Sequence, residues 1–151
     1  MRRAFTMLEV VFVIVIIGIL ATIALPKLSA TRDDATITKA INTLASVRAS
    51  ISSEVQKRVL RGDFTPISNL GGDSGDDFIF DYFDGNKSNR VLEYPPYKCG
   101  VKKDSGCWKK LNKDTYAYVM PDGSEVRFKL ENNHFDCDYN YNKKGCGILE
   151  H

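Results

Sequence analysis

Phe5-Thr-Met-Leu-Glu-Val-Val-Phe-Val-Ile-Val-Ile-Ile-Gly-Ile-Leu-Ala-Thr-Ile-Ala-Leu-Pro26 is the stretch from which the arrangement of the whole chain follows. Between Phe5 and Leu25 it carries a single charge, Glu9. As a helix these residues would rise about 30 Å, enough to cross the hydrocarbon core of a bilayer. Arg2 and Arg3, just before the run, would stay cytoplasmic by the positive-inside bias. A lone carboxylate in hydrocarbon costs roughly 2.5–3.5 kcal/mol at mid-bilayer and less near a helix end. Glu9 therefore needs a reason.

Three readings of this N-terminus compete. A cleaved secretory signal would explain the basic start and the small residues Ala24 and Ala30, but the apolar run exceeds the usual core of about 7–15 residues. A plain anchor fits the length and leaves Glu9 unexplained. A cut after Ala4 that retains the helix accounts for the charge. Phe5 would then carry a new α-ammonium four residues from Glu9. In an assembly, the ammonium of one subunit could meet the carboxylate of its neighbour, so that two costly charges compensate each other. Before the cut the Phe5 nitrogen is an amide and offers no such partner.

Composition limits the remainder. The sequence has 151 residues, room for one ordinary domain, and a net charge of +2. Arg2 and Arg3 supply that excess, because the rest of the chain balances 19 basic against 19 acidic residues. No strongly basic face points to nucleic acid, and none is expected as a direct partner. Cys99, Cys107, Cys137 and Cys146 all lie in the last third and form no Cys-x-x-Cys. An even count downstream of an export-like N-terminus reads as disulfides in an oxidising compartment. Reduced thiols are the alternative, and zinc would require closer ligand pairs. Spacing alone does not fix the pairing.

Arg-Ala-Phe-Thr-Met-Leu-Glu followed by a long Val/Ile run, with Gly18 and Pro26, resembles the prepilin signature of type IV pilins and type II secretion pseudopilins. The resemblance implies a leader of residues 1–4, cleavage between Ala4 and Phe5, and N-methylation of Phe5 by the prepilin peptidase. The family usually has glycine where Ala4 stands; alanine is small, and cleavage is expected. The resemblance further implies assembly through Phe5, Glu9, Gly18 and Pro26, with Glu9 recruiting and registering subunits. Partners would be copies of the chain, other pilin-like subunits, and an inner-membrane assembly platform with its ATPase. Proline removes a backbone donor and clashes one turn back, so a kink or unwinding near Thr22 is expected, aided by Gly18. The implied location is the bacterial inner membrane, single-pass, with a periplasmic head and later a periplasmic or surface filament.

Beyond Pro26 the helical pattern persists. Ile37, Ile41, Leu44, Val47, Ile51, Val55 and Val59 recur at spacings of three and four, one apolar stripe of an amphipathic helix. Arg48, Ser52, Glu54, Lys57 and Arg58 lie between them, suited to solvent or a partner face. Gly62 reads as the C-terminal cap. The expected helix therefore spans 5–61, with 5–25 as its transmembrane and assembly part, and would reach roughly 85 Å if continuous. Residues 62–151 form the expected globular head. Residues 62–90 read as loop around the apolar island Phe78-Ile-Phe-Asp-Tyr-Phe83, with Gly71 to Asp77 a solvated turn rather than a calcium site.

Val91-Leu-Glu-Tyr94 is a short strand candidate stopped by Pro95 and Pro96. Thr115–Met120 and Glu125–Leu130 alternate at period two around Pro121-Asp-Gly-Ser124, the clearest hairpin in the sequence. Val126, Phe128 and Leu130 share a face that the helix stripe would cover. This is an α+β fold, a long N-terminal helix packed on a small antiparallel sheet, the architecture of pilins.

In Asp136-Cys-Asp-Tyr-Asn-Tyr-Asn-Lys-Lys-Gly-Cys146, Asp136, Asp138 and Asn140 imitate the start of a calcium loop. Tyr141 and Gly147 stand where an EF-hand needs glycine and glutamate. A different calcium site near this end remains the lesser alternative, since major pseudopilins commonly bind calcium there. The favoured reading is a disulfide staple from Cys137 to Cys146, as the C-terminal loop of type IV pilins implies, with Cys99 and Cys107 closing a second such loop. Leu149-Glu150-His151 resembles the start of an appended histidine tag and is set aside from the fold. His134 and His151 lack any catalytic motif, and no phosphate loop, dinucleotide fingerprint or Gly-x-Ser-x-Gly occurs, so no enzyme is expected.

The functional expectation is a structural subunit of a type IV pilus-like filament, most plausibly a type II secretion or competence pseudopilin. The segment Pro26 to Ala35 looks like major pseudopilins, whereas the C-terminal cysteine loop looks like surface or competence pilins. The alternatives are a surface pilin for adhesion or motility and, from another class, a membrane-anchored periplasmic binding module working as a monomer.

Overall fold

A computed structural model of the chain describes residues 6–73, 75 and 77–150 and, for residues 23–31, the backbone only. The element order is α1 (Met7–Leu60), a short 3-10 turn (Phe83–Gly85), β1 (Cys107–Lys110), β2 (Thr115–Val119), β3 (Glu125–Glu131), β4 (His134–Cys137) and α2 (Lys143–Leu149). The fold is α+β with a long N-terminal helix and a small antiparallel sheet, as expected. The chain divides into two compact units, Met1–Ala35 and Thr36–His151. The second unit, the compact head, includes residues 36–60 of α1.

In the first unit, α1 begins at Met7, and Thr6 precedes it. The helix includes Gly18 and Pro26, so the expected unwinding is not a feature of the single chain. A proline inside a helix removes one backbone donor, and the neighbouring turns continue without it. The Thr22 hydroxyl donates to the Ile19 carbonyl at 2.7 Å, a bond within the helix.

The second unit is built around the sheet β1-β2-β3-β4, antiparallel throughout. The β2–β3 hairpin pairs Tyr116 with Phe128 and Tyr118 with Val126. Its turn closes through Gly123 N–H to the Met120 carbonyl at 2.9 Å, with Gly123 at φ +84°, a conformation glycine adopts without steric cost. Along β3, Val126, Phe128 and Leu130 are buried while Lys129 and Glu131 are exposed, the alternation a half-buried strand requires. Trp108, Tyr116, Tyr118, Phe128 and Phe135 form one aromatic layer on the buried face, joined by Phe80 at ring distances of 5.2 Å to Trp108 and Tyr116.

The helix covers this layer with Ala40, Leu44, Val47 and Ile51, all buried, and with half-buried Ile37, Ile41 and Val55. Two polar bonds pin it to the sheet. The Tyr118 hydroxyl donates to the Thr36 carbonyl at 3.1 Å, and Arg48 Nε donates to the Phe135 carbonyl at 2.9 Å. The helix ends as Gly62 predicts: Gly62 N–H bonds the Val59 carbonyl at 2.9 Å and Asp63 N–H bonds that of Arg58 at 2.9 Å, with Gly62 at φ +76°. That is a Schellman cap.

Several expectations are corrected. Val59, expected on the stripe, is exposed because the helix has by then passed the edge of the sheet's aromatic layer. Glu54, expected toward solvent or a partner, is buried. It lies three residues after Ile51, on the same face, and is compensated by Arg58 at 3.0 Å. Val91–Tyr94 is not a strand. Its first residues make isolated bonds instead, Val91 N–H to the Asp81 carbonyl at 2.9 Å and Leu92 N–H to that of Phe80 at 3.2 Å, which bury Val91 against the apolar island. Leu149 and Glu150, set aside from the fold, belong to it: Leu149 is buried in the core, and Glu150 accepts from Arg48 and from the Tyr139 hydroxyl.

Candidate functional site

The N-terminal segment is the first candidate. Ala4 and Phe5, the expected processing positions, lie outside the described residues. From Met7 to Leu20, twelve large apolar side chains are exposed, among them Met7 at 86%, Phe12 at 65% and Leu20 at 61%. They surround the helix rather than forming a stripe. A helix apolar all round is stable only when lipid or protein covers it on every side. Among the described residues no helix is long and apolar enough to cross a membrane. The described part of the expected span ends at Thr22, because the side chains from Ile23 to Thr31 lie outside the description.

Glu9 is exposed and falls in the first turn of α1. Its N–H donates to the Thr6 hydroxyl at 3.3 Å and to the Thr6 carbonyl at 3.1 Å. Thr6 is thus an N-cap and Glu9 the third helical residue, in the Thr-x-x-Glu order of a capping box. This explanation of Glu9 was missed from sequence, although the spacing was visible. A carboxylate in the first turn also faces the positive end of the helix dipole. Glu9 therefore serves the subunit by itself, and its presence does not by itself exclude a monomeric anchor.

The second candidate is the disulfide-bearing surface of the head. Cys99 and Cys107 are joined with Cα atoms 5.3 Å apart, and Cys137 and Cys146 with Cα atoms 5.8 Å apart. The second bond ties the end of β4 to α2, whose Cys146 and Leu149 enter the core. Asn142 caps α2, accepting from Gly145 N–H at 2.8 Å, and donates to the Glu125 carbonyl at 2.9 Å. Burial alone would raise the Glu150 carboxyl, but the bonds from Arg48 and Tyr139 outweigh it and leave it below the usual carboxylate range.

Asp138 and Asp136, two residues of the calcium alternative, have contacts of their own. Asp138 Oδ1 accepts from the backbone N–H of Asn140 at 3.1 Å and of Tyr141 at 3.3 Å, which makes it a turn residue. Asp136 projects outward, 74% exposed, with Arg48 at 3.9 Å. Among the described residues no group of three or more His, Cys, Asp or Glu side chains is placed to hold a metal ion.

The loop from 62 to 90 holds a polar framework that composition did not reveal. Asp84 accepts from the Ser68 N–H at 2.8 Å, the Asn69 N–H at 3.0 Å and Arg58 Nη2 at 2.6 Å. Burial pushes its carboxyl up, yet these bonds win and hold it below the ordinary range. Arg58 thus connects buried Glu54 on α1 to the loop. The Tyr116 hydroxyl accepts from Leu70 N–H at 2.9 Å and lies 3.1 Å from both the Gly71 carbonyl and Asn69 Oδ1. Desolvation raises the Tyr116 hydroxyl well above its usual value, so it stays a neutral donor.

With this geometry in place, residues 1–25 match the family model described as the prokaryotic N-terminal methylation motif. The chain therefore carries the signature of type IV pilins and pseudopilins. No curated protein and no solved structure matches it.

Proposed function

We propose that the chain is a structural subunit of a type IV pilus-like filament, a type II secretion or competence pseudopilin, held in the inner membrane by residues 5–25 until it assembles. The observation that carries this reading is the all-round apolar surface from Met7 to Leu20, inside the methylation motif matched over residues 1–25. An ordinary head has no means of covering such a helix, whereas a bilayer and then a bundle of identical helices supply the cover in turn. Prepilin peptidase cuts between Ala4 and Phe5 and methylates Phe5. The freed ammonium of one subunit meets Glu9 of the next and sets register. The heads, stapled by Cys137–Cys146, decorate the outside, and an ATPase on the assembly platform supplies the force.

The C-terminal disulfide favours a second reading within the same class, a surface pilin for adhesion or motility. The mass of the N-terminal peptide, from protein purified out of its native membrane, tests the common step. A peptide beginning at methylated Phe5 supports the filament subunit. An intact Met1, or a start near Leu25 or Thr31, means a plain anchored module or a secreted protein and overturns the reading.

A further inference from the structure

The head carries a cleft of about 840 Å³ between α1 and two loop segments. One wall is the α1 face bearing Ala40, Thr43, Ser46 and Ser50; the other is the 91–97 segment with the disulfide loop that Cys99 and Cys107 close. The loop reaches the helix because Gly106, at φ +62°, has no Cβ; one there would collide with the Thr36 methyl group. From Thr36 to Ser50 the wall runs about 21 Å, the length of six or seven extended residues at about 3.3 Å each. That length fits a strand of polypeptide better than a compact small molecule.

The cleft has a charge imbalance. Lys39, Lys102 and Lys103 line it and are exposed, against one lining carboxylate, Glu93. Among the described residues none of these three ammonium groups lies in an ion pair, whereas Lys109, Lys110 and Lys129 are each paired with a carboxylate within 3.0 Å. Lys102 Nζ instead rests 3.7 Å over the Tyr97 ring. The floor is apolar and aromatic. Trp108 and Tyr118 are buried there, while Tyr94 on the rim is 90% exposed. The Trp108 indole N–H has no acceptor among the described residues, although buried indoles normally find one. On the helix wall, the Thr43 and Ser46 hydroxyls each donate to a carbonyl of their own helix at 2.8 Å, which leaves their oxygens as acceptors for incoming N–H groups.

We propose that this cleft binds an extended acidic peptide segment of a partner protein, its apolar side chains seated toward Trp108 and Tyr97 and its carboxylates against Lys39, Lys102 and Lys103. The site uses only residues of the head and holds however the N-terminus is processed.

The test uses the full chain in detergent micelles on an array of random heptapeptides. Bound peptides enriched in Asp and Glu beside an aliphatic or aromatic residue are the expected result. A heptapeptide alternating Glu with Leu then shifts the emission of Trp108, the single tryptophan of the chain. In the K102Q/K103Q variant it binds roughly five- to tenfold more weakly, the size of two exposed ion pairs. The K113Q variant, altered outside the cleft, binds it unchanged. Three results overturn the proposal: no enrichment or a basic one, equal affinity in K102Q/K103Q, or self-association of the chain that K102Q/K103Q abolishes, which would make a second copy the occupant.

Discussion

Replacing Arg58 by methionine tests whether the buried Glu54 carboxylate is held by one partner. The Glu54 side chain is 2% exposed and Arg58 Nε lies 3.0 Å from it. Its other cation, Arg61, sits at 3.8 Å on a side chain 67% exposed, where solvent screens it. Removing one member of a buried pair costs about 3–5 kcal/mol, because the remaining charge stays desolvated. Arg61 retains part of the compensation, so the expected loss is about 3 kcal/mol. For a domain of this size that lowers the melting midpoint by roughly 10 °C. Urea titration monitored through Trp108, 2% exposed, reads the unfolding directly. The double variant E54L/R58M removes both charges at similar volume and recovers more than half of the loss, since apolar replacement of a buried pair is often close to neutral. Asp84 keeps its Ser68 and Asn69 donors in either variant. A cost below about 1 kcal/mol for R58M, or a double variant no more stable than the single one, would refute this account of Glu54.

Further outcomes follow from the same head. The C137S/C146S variant loses about 2–3 kcal/mol, the loop-closure entropy of a short ring, and the wild type under reducing conditions melts lower still, because the Cys99–Cys107 bond opens as well. The Tyr116→Phe variant leaves the buried Leu70 N–H without its acceptor at 2.9 Å and costs about 1–3 kcal/mol in urea titration. Despite burial, Asp84, Glu125 and Glu150 all titrate below their ordinary range, because Arg58, Lys109 and Arg48 respectively lead the bonds to their ionised forms. A lowered folded value means that the stability is fully present above the unfolded carboxylate range near 4 and is lost as pH falls through the folded values. Melting midpoints measured from pH 6 to pH 2 should be flat and then fall below about pH 4; a midpoint that rises there contradicts the sign.

The sequence was most legible where one period dominated. The β2–β3 hairpin shows its alternation in Val126, Phe128 and Leu130 against Arg127 and Lys129, and the helix stripe from Ile37 to Val55 shows the other period. β1 and β4 were missed because each has four residues. Cys107-Trp-Lys-Lys110 does not alternate, and His134-Phe-Asp-Cys137 was absorbed into a loop read for its carboxylates and cysteine. The buried Glu54 was misplaced because its charge outweighed its position on the stripe, although Arg58 four residues on was the visible sign of a partner. Val91–Tyr94 misled in the opposite sense. Its apolar residues serve burial of the 78–83 island, and the paired prolines that follow left it only isolated bonds. Phe80 reaches the core at φ +59°, a conformation nothing in the sequence announces.

Glu9 connects the two levels of the argument. Within one subunit it stands in the first turn of α1, after the Thr6 cap, where the helix dipole favours negative charge. In the proposed filament the same carboxylate would also face the ammonium of a neighbour's Phe5. The neighbour then adds only the difference between that contact and the interactions Glu9 already has, so its share in affinity is small. Cohesion must come mainly from the twelve exposed apolar side chains between Met7 and Leu20. Burial of their area supplies attraction without direction, because it scales with the apolar surface removed from water. A charge pair is not: its energy falls with distance, and in a low-dielectric bundle an unpaired carboxylate is strongly disfavoured. The division of labour proposed here therefore follows from the physics of the segment, with apolar area providing strength and one first-turn carboxylate providing register.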